Sequence, residues 1–96
     1  MKFIFMKWLN AQDDEPIEIY SEIDEDRWET RKVEIYRDGT STYARPGHST
    51  GTTVLAEYPL PTIEKICSNP NFEAKEIRSR EFEHIWTYAI GEKYVR

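Results

Sequence analysis

The sequence predicts an α+β domain in which an antiparallel sheet of four to five strands has one or two helices packed on one face, with the C-terminal helix last. The first half of the chain alternates apolar and polar residues with the period of a strand. Asp38-Gly39 is a hairpin dipeptide between two such segments, and the last apolar residues recur at helical spacing. A length of 96 residues suits a single domain over residues 1–96, and an aromatic content of 14% argues against disorder.

The first two strands are predicted over residues 2–9 and 17–23. Residues 2–9 are largely apolar on both sides and rich in aromatic residues, which is typical of a central strand. Pro16 can open the second strand, because a missing backbone N–H group is tolerated at the first residue of a strand. In residues 17–23 the apolar side chains stand at every second position, which indicates one buried face.

The middle of the chain is predicted to be a run of turns and strands. The predicted elements are a turn at 24–26, a third strand at 27–37, a fourth strand at 40–45, a loop rich in Gly, Ser and Thr at 45–53, and a short strand at 54–58.

Two helices are predicted in the last third of the chain. Thr62 is placed to cap a short helix that runs through Ser68, and Ser79 is the predicted cap of a longer one. Gly91 is the natural residue to end the longer helix, because glycine readily adopts the left-handed conformation. Residues 72–77, between the helices, have an ambiguous pattern, for which an extended edge is one interpretation. The apolar stripe of the longer helix consists of Phe82, Ile85, Trp86, Ala89 and Ile90.

Negative charge is concentrated in one fifth of the chain. Residues 10–29 contain nine acidic residues and one basic residue, a net charge of −8, whereas the whole chain carries −5. Such a field repels nucleic acid and attracts basic protein surfaces. The alternative interpretation is a solvated face that aids solubility.

The residues do not form a metal-binding or catalytic pattern. An EF-hand count from Asp24 puts Glu29 where that loop requires glycine, and the chain has one cysteine and two histidines. Cys67 is expected to be a small buried apolar residue, and a Cys67–His84 pair is a weak candidate dyad. We therefore expect no enzyme, no cofactor and no metal. A single cysteine also argues against a secreted, disulfide-stabilised domain.

Two alternative sites remain open. Arg45, His48 and Ser49 lie in the loop at 45–53, where hydroxyl and backbone groups could hold a small ligand. Basic and aromatic residues interleave along the third strand, as in sheets that stack single-stranded RNA. The neighbouring acidic residues argue against nucleic acid, and cross-strand ion pairs are the simpler explanation of these bases.

Residues 21–39 match the pattern S-E-x-D-x-x-R-x-E-x-R-K-V-E-x-[FY]-x-D-G, and a later segment reads N-P-N-F followed by E-F-E-x-x-W. With the early Trp8 and Glu15-Pro16, this resembles a small bacterial domain family of unknown function. Asn10 stands near a position where that family often has histidine. The resemblance implies a stand-alone cytoplasmic domain without an established reaction.

Small acidic proteins of this kind are often immunity partners of antibacterial toxins, which is an analogy and not a deduction from residues. The leading hypothesis is therefore an immunity or antitoxin protein that occludes the active site of a cognate toxin, either a nuclease or an NAD-using ADP-ribosyltransferase. The expected protein is cytoplasmic, a monomer or weak dimer, and without a membrane or nucleic-acid partner. The residues expected to contact the basic partner are Glu18, Glu22, Asp24, Glu25, Asp26 and Trp28.

Overall fold

A computed structural model describes residues 1–91 and confirms the α+β class, with an antiparallel sheet and a C-terminal helix. The elements are β1 (Lys2–Trp8), β2 (Glu18–Ile23), β3 (Glu29–Ile35), β4 (Ser41–Arg45), β5 (His48–Ser49), α1 (Ile63–Cys67), β6 (Phe72–Ile77) and α2 (Ser79–Ile90). Within residues 1–91 the sheet has six strands, more than the four or five expected, in the order β5-β4-β3-β2-β1-β6. The extra strands come from the segments expected to be a loop and an ambiguous edge.

One face of the sheet packs against α2. Phe3 of β1 and Val33 of β3 form a buried cluster with Phe82 and Trp86 of the helix. The rings of Phe3 and Phe82 lie 5.3 Å apart, and Trp86 meets Tyr43 of β4 edge-on. The predicted apolar stripe of the helix is therefore confirmed, since burying such a stripe is the main source of stability for a helix of this length.

The other face packs against α1, so the two helices lie on opposite sides of the sheet and not on one. Ile4 and Met6 of β1 and Ile23 of β2 form a second core, against which Ile63 and Ile66 pack. Successive residues of a strand point to opposite faces, and β1 is apolar on both. Its confirmed central position between β2 and β6 therefore requires cover on both faces.

A strap, defined here as residues 53–61, crosses this second face without joining the sheet. The expected strand over residues 54–58 is wrong, because these residues bond to side chains of β3 instead of to the backbone of a neighbouring strand. Lys32 donates from Nζ to the Val54 carbonyl at 3.1 Å, and the Glu29 carboxylate accepts from the Ala56 N–H at 2.7 Å. Such polar contacts satisfy backbone groups that would otherwise be buried without a partner.

Arg27 holds the C-terminal end of the strap. Its guanidinium donates to the carbonyls of Leu60 and Pro61, each at 2.7 Å, and its own carbonyl accepts from the Leu60 N–H. Arg27 has a φ of 70°, a left-handed conformation that is uncommon for a residue with a side chain. The turn therefore extends past residues 24–26, and β3 begins at Glu29 and not at Arg27.

The helix ends agree closely with the sequence analysis. Thr62 caps α1 by accepting the Lys65 N–H at its hydroxyl, and Gly91 ends α2 with a φ of 81°. The cap of α2 is Arg78 and not Ser79, and the Glu81 carboxylate accepts the Arg78 N–H at 3.0 Å. The predicted cap is therefore one residue too late. The Glu81 carboxylate, three residues after Arg78, satisfies the free N–H group of Arg78 and makes that residue the cap.

We predict that Gly51→Ala destabilises the fold, because Gly51 has a φ of 58° and an added Cβ would lie 2.7 Å from Cγ2 of Thr42. The expected loss is about 1–3 kcal/mol in the free energy of unfolding, from backbone strain and this clash together. Gly47→Ala is the matched control, because Gly47 also has a positive φ but its added Cβ would meet nothing within 4 Å. Equal losses in urea unfolding would contradict the role assigned to the Thr42 contact.

Candidate functional site

The acidic residues of segment 10–29 do not form one surface. Residues 13–15 precede β2 and residues 24–26 follow it, so the six residues of the strand separate the two groups. Glu22 of this strand and Glu29, which follows the second group, are buried, at 8% and 6% exposure. Asp13 pairs with Arg37 at 2.7 Å. Much of the charge that is continuous in sequence is thus neutralised or divided in space.

Glu22, expected at the partner surface, is instead bound inside the domain. Its carboxylate receives two hydrogen bonds from Arg31, at 2.8 and 2.7 Å, and one from the Thr30 hydroxyl at 2.7 Å. Arg31 also pairs with Glu83 of α2 and lies over the rings of Phe82 and Trp86. Hydrogen bonds from Arg31 are the main cause that lowers the pKa of Glu22.

The acidic tip, defined here as Asp24, Glu25 and Asp26, is a built turn and not a flexible run of charge. The Asp24 carboxylate accepts the backbone N–H groups of Asp26 and Trp28, both at 2.9 Å. This bonding leaves Glu25 and Asp26 exposed. A turn of this kind holds its backbone shape through the aspartate side chain, so Glu25 and Asp26 project from a defined backbone.

Exposed aromatic side chains flank the acidic tip. Trp28 is 43% exposed and Tyr58 of the strap is 77% exposed. Tyr58 precedes Leu60 by two residues, and Leu60 bonds to Arg27, the neighbour of Trp28. Tyr58 and Glu57 of the strap therefore lie near the tip, a proximity that sequence separation concealed. We call Glu25, Asp26, Trp28, Glu57 and Tyr58 the tip–strap surface.

Glu18 lies toward the opposite end of β2, away from the acidic tip. It stands opposite Lys7 in the pairing of β1 with β2 and shares a face with Tyr20. Burial, followed by the negative charge of Glu18, raises the pKa of Tyr20 to about 12. Glu18 therefore acts on Tyr20, and the structure does not bring it together with the tip–strap surface.

The expected loop at 45–53 contains a tight hairpin. Arg45 pairs with His48, Gly47 turns the chain with a φ of 81°, and Ser49 lies in β5. The three candidate residues are exposed, and His48 Nε2 lies 3.0 Å from the Tyr43 hydroxyl. These residues lie at the β5 edge of the sheet and do not enclose a cavity with the tip–strap surface.

The other candidate groups are separated or occupied. Cys67 is exposed and not buried, and its thiol lies 3.7 Å from the Ala74 carbonyl. A dyad with His84 is excluded, because α1 and α2 lie on opposite faces of the sheet. Among residues 1–91, no group of three or more His, Cys, Asp or Glu side chains is placed to hold a metal ion. The basic residues considered for RNA stacking have partners within the chain. Arg27 donates to the strap, and ion pairs join Arg31 to Glu22, Lys32 to Glu29 and Arg37 to Asp13.

A groove of about 480 Å³ opens on the α2 face, where the helix leaves the β1 and β6 side of the sheet uncovered. The side chains of Phe5 and Tyr20, a tilted pair with ring centroids 5.0 Å apart, form part of its floor. Lys75 and Arg80 lie at its rim, and Ile85 of α2 completes the apolar lining. Sequence reasoning missed this groove, because its lining combines β1 and β2 with β6 and α2, which lie about 50 residues further along the chain.

We predict that Glu22→Gln lowers the free energy of unfolding by about 1–3 kcal/mol at neutral pH, because Arg31 loses the more buried of its two charged partners. Since the folded-state pKa of Glu22 lies below the ordinary 4.5, this stabilisation is present above that value and is lost as pH falls through the lower folded-state pKa. The difference between wild type and variant should therefore shrink on acidification, as measured by urea unfolding across pH. Glu25→Gln, at an exposed position, should change little; a difference for Glu22→Gln that does not depend on pH would refute the pairing.

Comparison with known proteins agrees with the resemblance seen in the sequence. No curated protein and no solved structure matches the chain. In residues 1–91, neither helix has the length and apolar character needed to cross a membrane. The model of one family, described as a domain of unknown function (DUF6881), matches residues 2–91. The chain therefore belongs to this family, whose members share a domain of unknown function.

Proposed function

We propose that this protein is a protein-interaction module of the immunity or antitoxin type, which binds a basic surface of a cognate toxin and occludes its active site. The observation that supports the proposal is the tip–strap surface, where exposed carboxylates stand beside exposed aromatic rings. Interfaces of this kind use aromatic side chains as anchors and charge to guide the encounter. A cytoplasmic location and a basic nuclease or an NAD-using ADP-ribosyltransferase as the toxin are part of the proposal.

Rigidity of the surface also supports the proposal. The Asp24 carboxylate shapes the turn, and Arg27 ties it to the strap through three hydrogen bonds. A surface that is ordered before binding loses less conformational entropy when the partner docks. Glu25 and Asp26 have no carboxylate hydrogen bond or ion pair with the described residues, so both charges are available to a partner.

The acidic residues expected to act together take different roles in this proposal. Glu22 stabilises the sheet through Arg31, and Glu18 lies beyond the tip–strap surface, so neither is assigned to the interface. Trp28 remains the proposed anchor, and Tyr58 is added to it. The basic partner then faces two exposed carboxylates of the tip with aromatic rings beside them.

The product of the adjacent gene is the proposed partner to be tested. We predict that Glu25→Lys slows association with it, and that Trp28→Ala speeds dissociation with a loss of about 2 kcal/mol in binding. The measurement is surface-based kinetics with the full chain immobilised, alongside inhibition of the toxin's activity. Raising the salt concentration should slow wild-type association, because steering by charge is screened.

Asp14→Lys is the matched control, because Asp14 is exposed and has no ion pair among the described residues. It makes the same change in charge before β2, whereas Glu25 follows that strand. Association should stay near the wild-type rate in this variant. Equal slowing by both substitutions would mean that only net charge matters, and absence of binding at micromolar concentration would refute the proposal.

A further inference from the structure

We propose that the groove between α2 and the β1 and β6 strands is a second binding site, which takes a small amphiphilic anion with a planar apolar body and one carboxylate or sulfonate group. This site lies on the face opposite the strap and is independent of the proposed protein interaction. Its volume of about 480 Å³ lies in the range of small-molecule sites.

The floor of the groove suits a planar apolar body. Phe5 and Tyr20 form a tilted aromatic pair, and Ile77 and Ile85 line the walls. Phe5, Tyr20 and Ile85 are only partly buried, because α2 packs mainly over the opposite side of this face. A flat ligand would remove this remaining apolar surface from water and gain stacking contacts with the rings.

The rim of the groove carries positive charge that the described part of the chain does not neutralise. Lys75 has no ion pair there, and its ammonium lies 5.9 Å from the centre of the Phe5 ring. Arg80 forms no hydrogen bond or ion pair with any residue among 1–91. Two cations beside an apolar floor favour an anionic occupant, and guanidinium groups pair well with carboxylates.

Two acidic residues also reach the groove. Glu81 lines it and accepts the Arg78 N–H at the start of α2. After the larger effect of burial, the negative charges of Glu18 and Glu81 raise the pKa of Tyr20 in the floor. Lys75 and Arg80 are the cations of the groove, and neither has an ion pair among residues 1–91, so the anionic group of the ligand would pair with them.

The test uses two fluorescent probes of similar shape: anilinonaphthalene sulfonate, which is an anion, and phenylnaphthylamine, which is neutral. The anion should bind the full chain in a saturable one-to-one manner and more tightly than the neutral probe. Amide and ring resonances of Phe5, Tyr20 and Ile85 should shift on titration, whereas those of Trp28 should not. Lys75→Glu with Arg80→Glu should weaken anion binding at least about tenfold.

Arg45→Glu serves as the matched control, since Arg45 is an exposed cation at the far edge of the sheet. It should leave the anion's affinity within about twofold of wild type. Thermal unfolding verifies that each variant is folded, and Lys75→Gln with Arg80→Gln replaces the charge-reversed pair if that pair is unstable. Equal affinity for both probes, no saturable binding of the anion, or unchanged binding in the double variant would overturn the proposal. None of these results bears on toxin binding by the tip–strap surface.

Discussion

The fold depends on one carboxylate that is almost completely removed from water. The side chain of Glu29 is 1% exposed, yet it accepts hydrogen bonds from the Ser21 hydroxyl and the Ala56 N–H and pairs with Lys32 at 3.1 Å. A buried charge is tolerated only when such partners surround it, and removing one partner leaves a costly unpaired group. Glu29 thereby joins β2, β3 and the strap. With Arg27 holding the strap's other end, it keeps one face of the sheet covered by a segment that has no regular secondary structure.

The position of Glu29 follows from a register shift in the sheet. β3 pairs Arg31 with Glu22 but Glu29 with Ile23, so Thr30 is an extra residue in the strand. In a regular strand Glu29 and Arg31 would point to the same face. The shift turns them apart, so that Arg31 reaches α2 on one side while Glu29 reaches the strap on the other. An ion pair to α2 and a hydrogen bond from the strap, both made by side chains of one short strand, therefore support the two faces of the domain.

These internal pairs change how the composition should be interpreted. A net charge of −8 over residues 10–29 suggests one strongly acidic surface. Two of these carboxylates, Glu22 and Glu29, instead form ion pairs within the sheet. What remains outside is a small acidic tip bordered by Trp28 and Tyr58. The opposite face of the sheet carries an apolar groove with two unpaired cations, Lys75 and Arg80, beside Glu81. The protein thus presents two surfaces of different composition and different shape, and a chain-wide net charge describes neither.

The sequence by itself determined the α+β class, the central position of β1, the turn at 24–26, both helices and the left-handed end at Gly91. These features depend on local rules, namely periodicity, capping and glycine conformation, which act over a few neighbouring residues. The tip was also visible, because turn residues and exposed charge are local signals. Tertiary structure alone decided that Glu22 and Glu29 are internal, that residues 54–58 form a strap instead of a strand, that Tyr58 lies near the tip, and that a groove opens beside α2. Each depends on contacts between segments far apart in the chain, where burial and hydrogen bonding outweigh local preference.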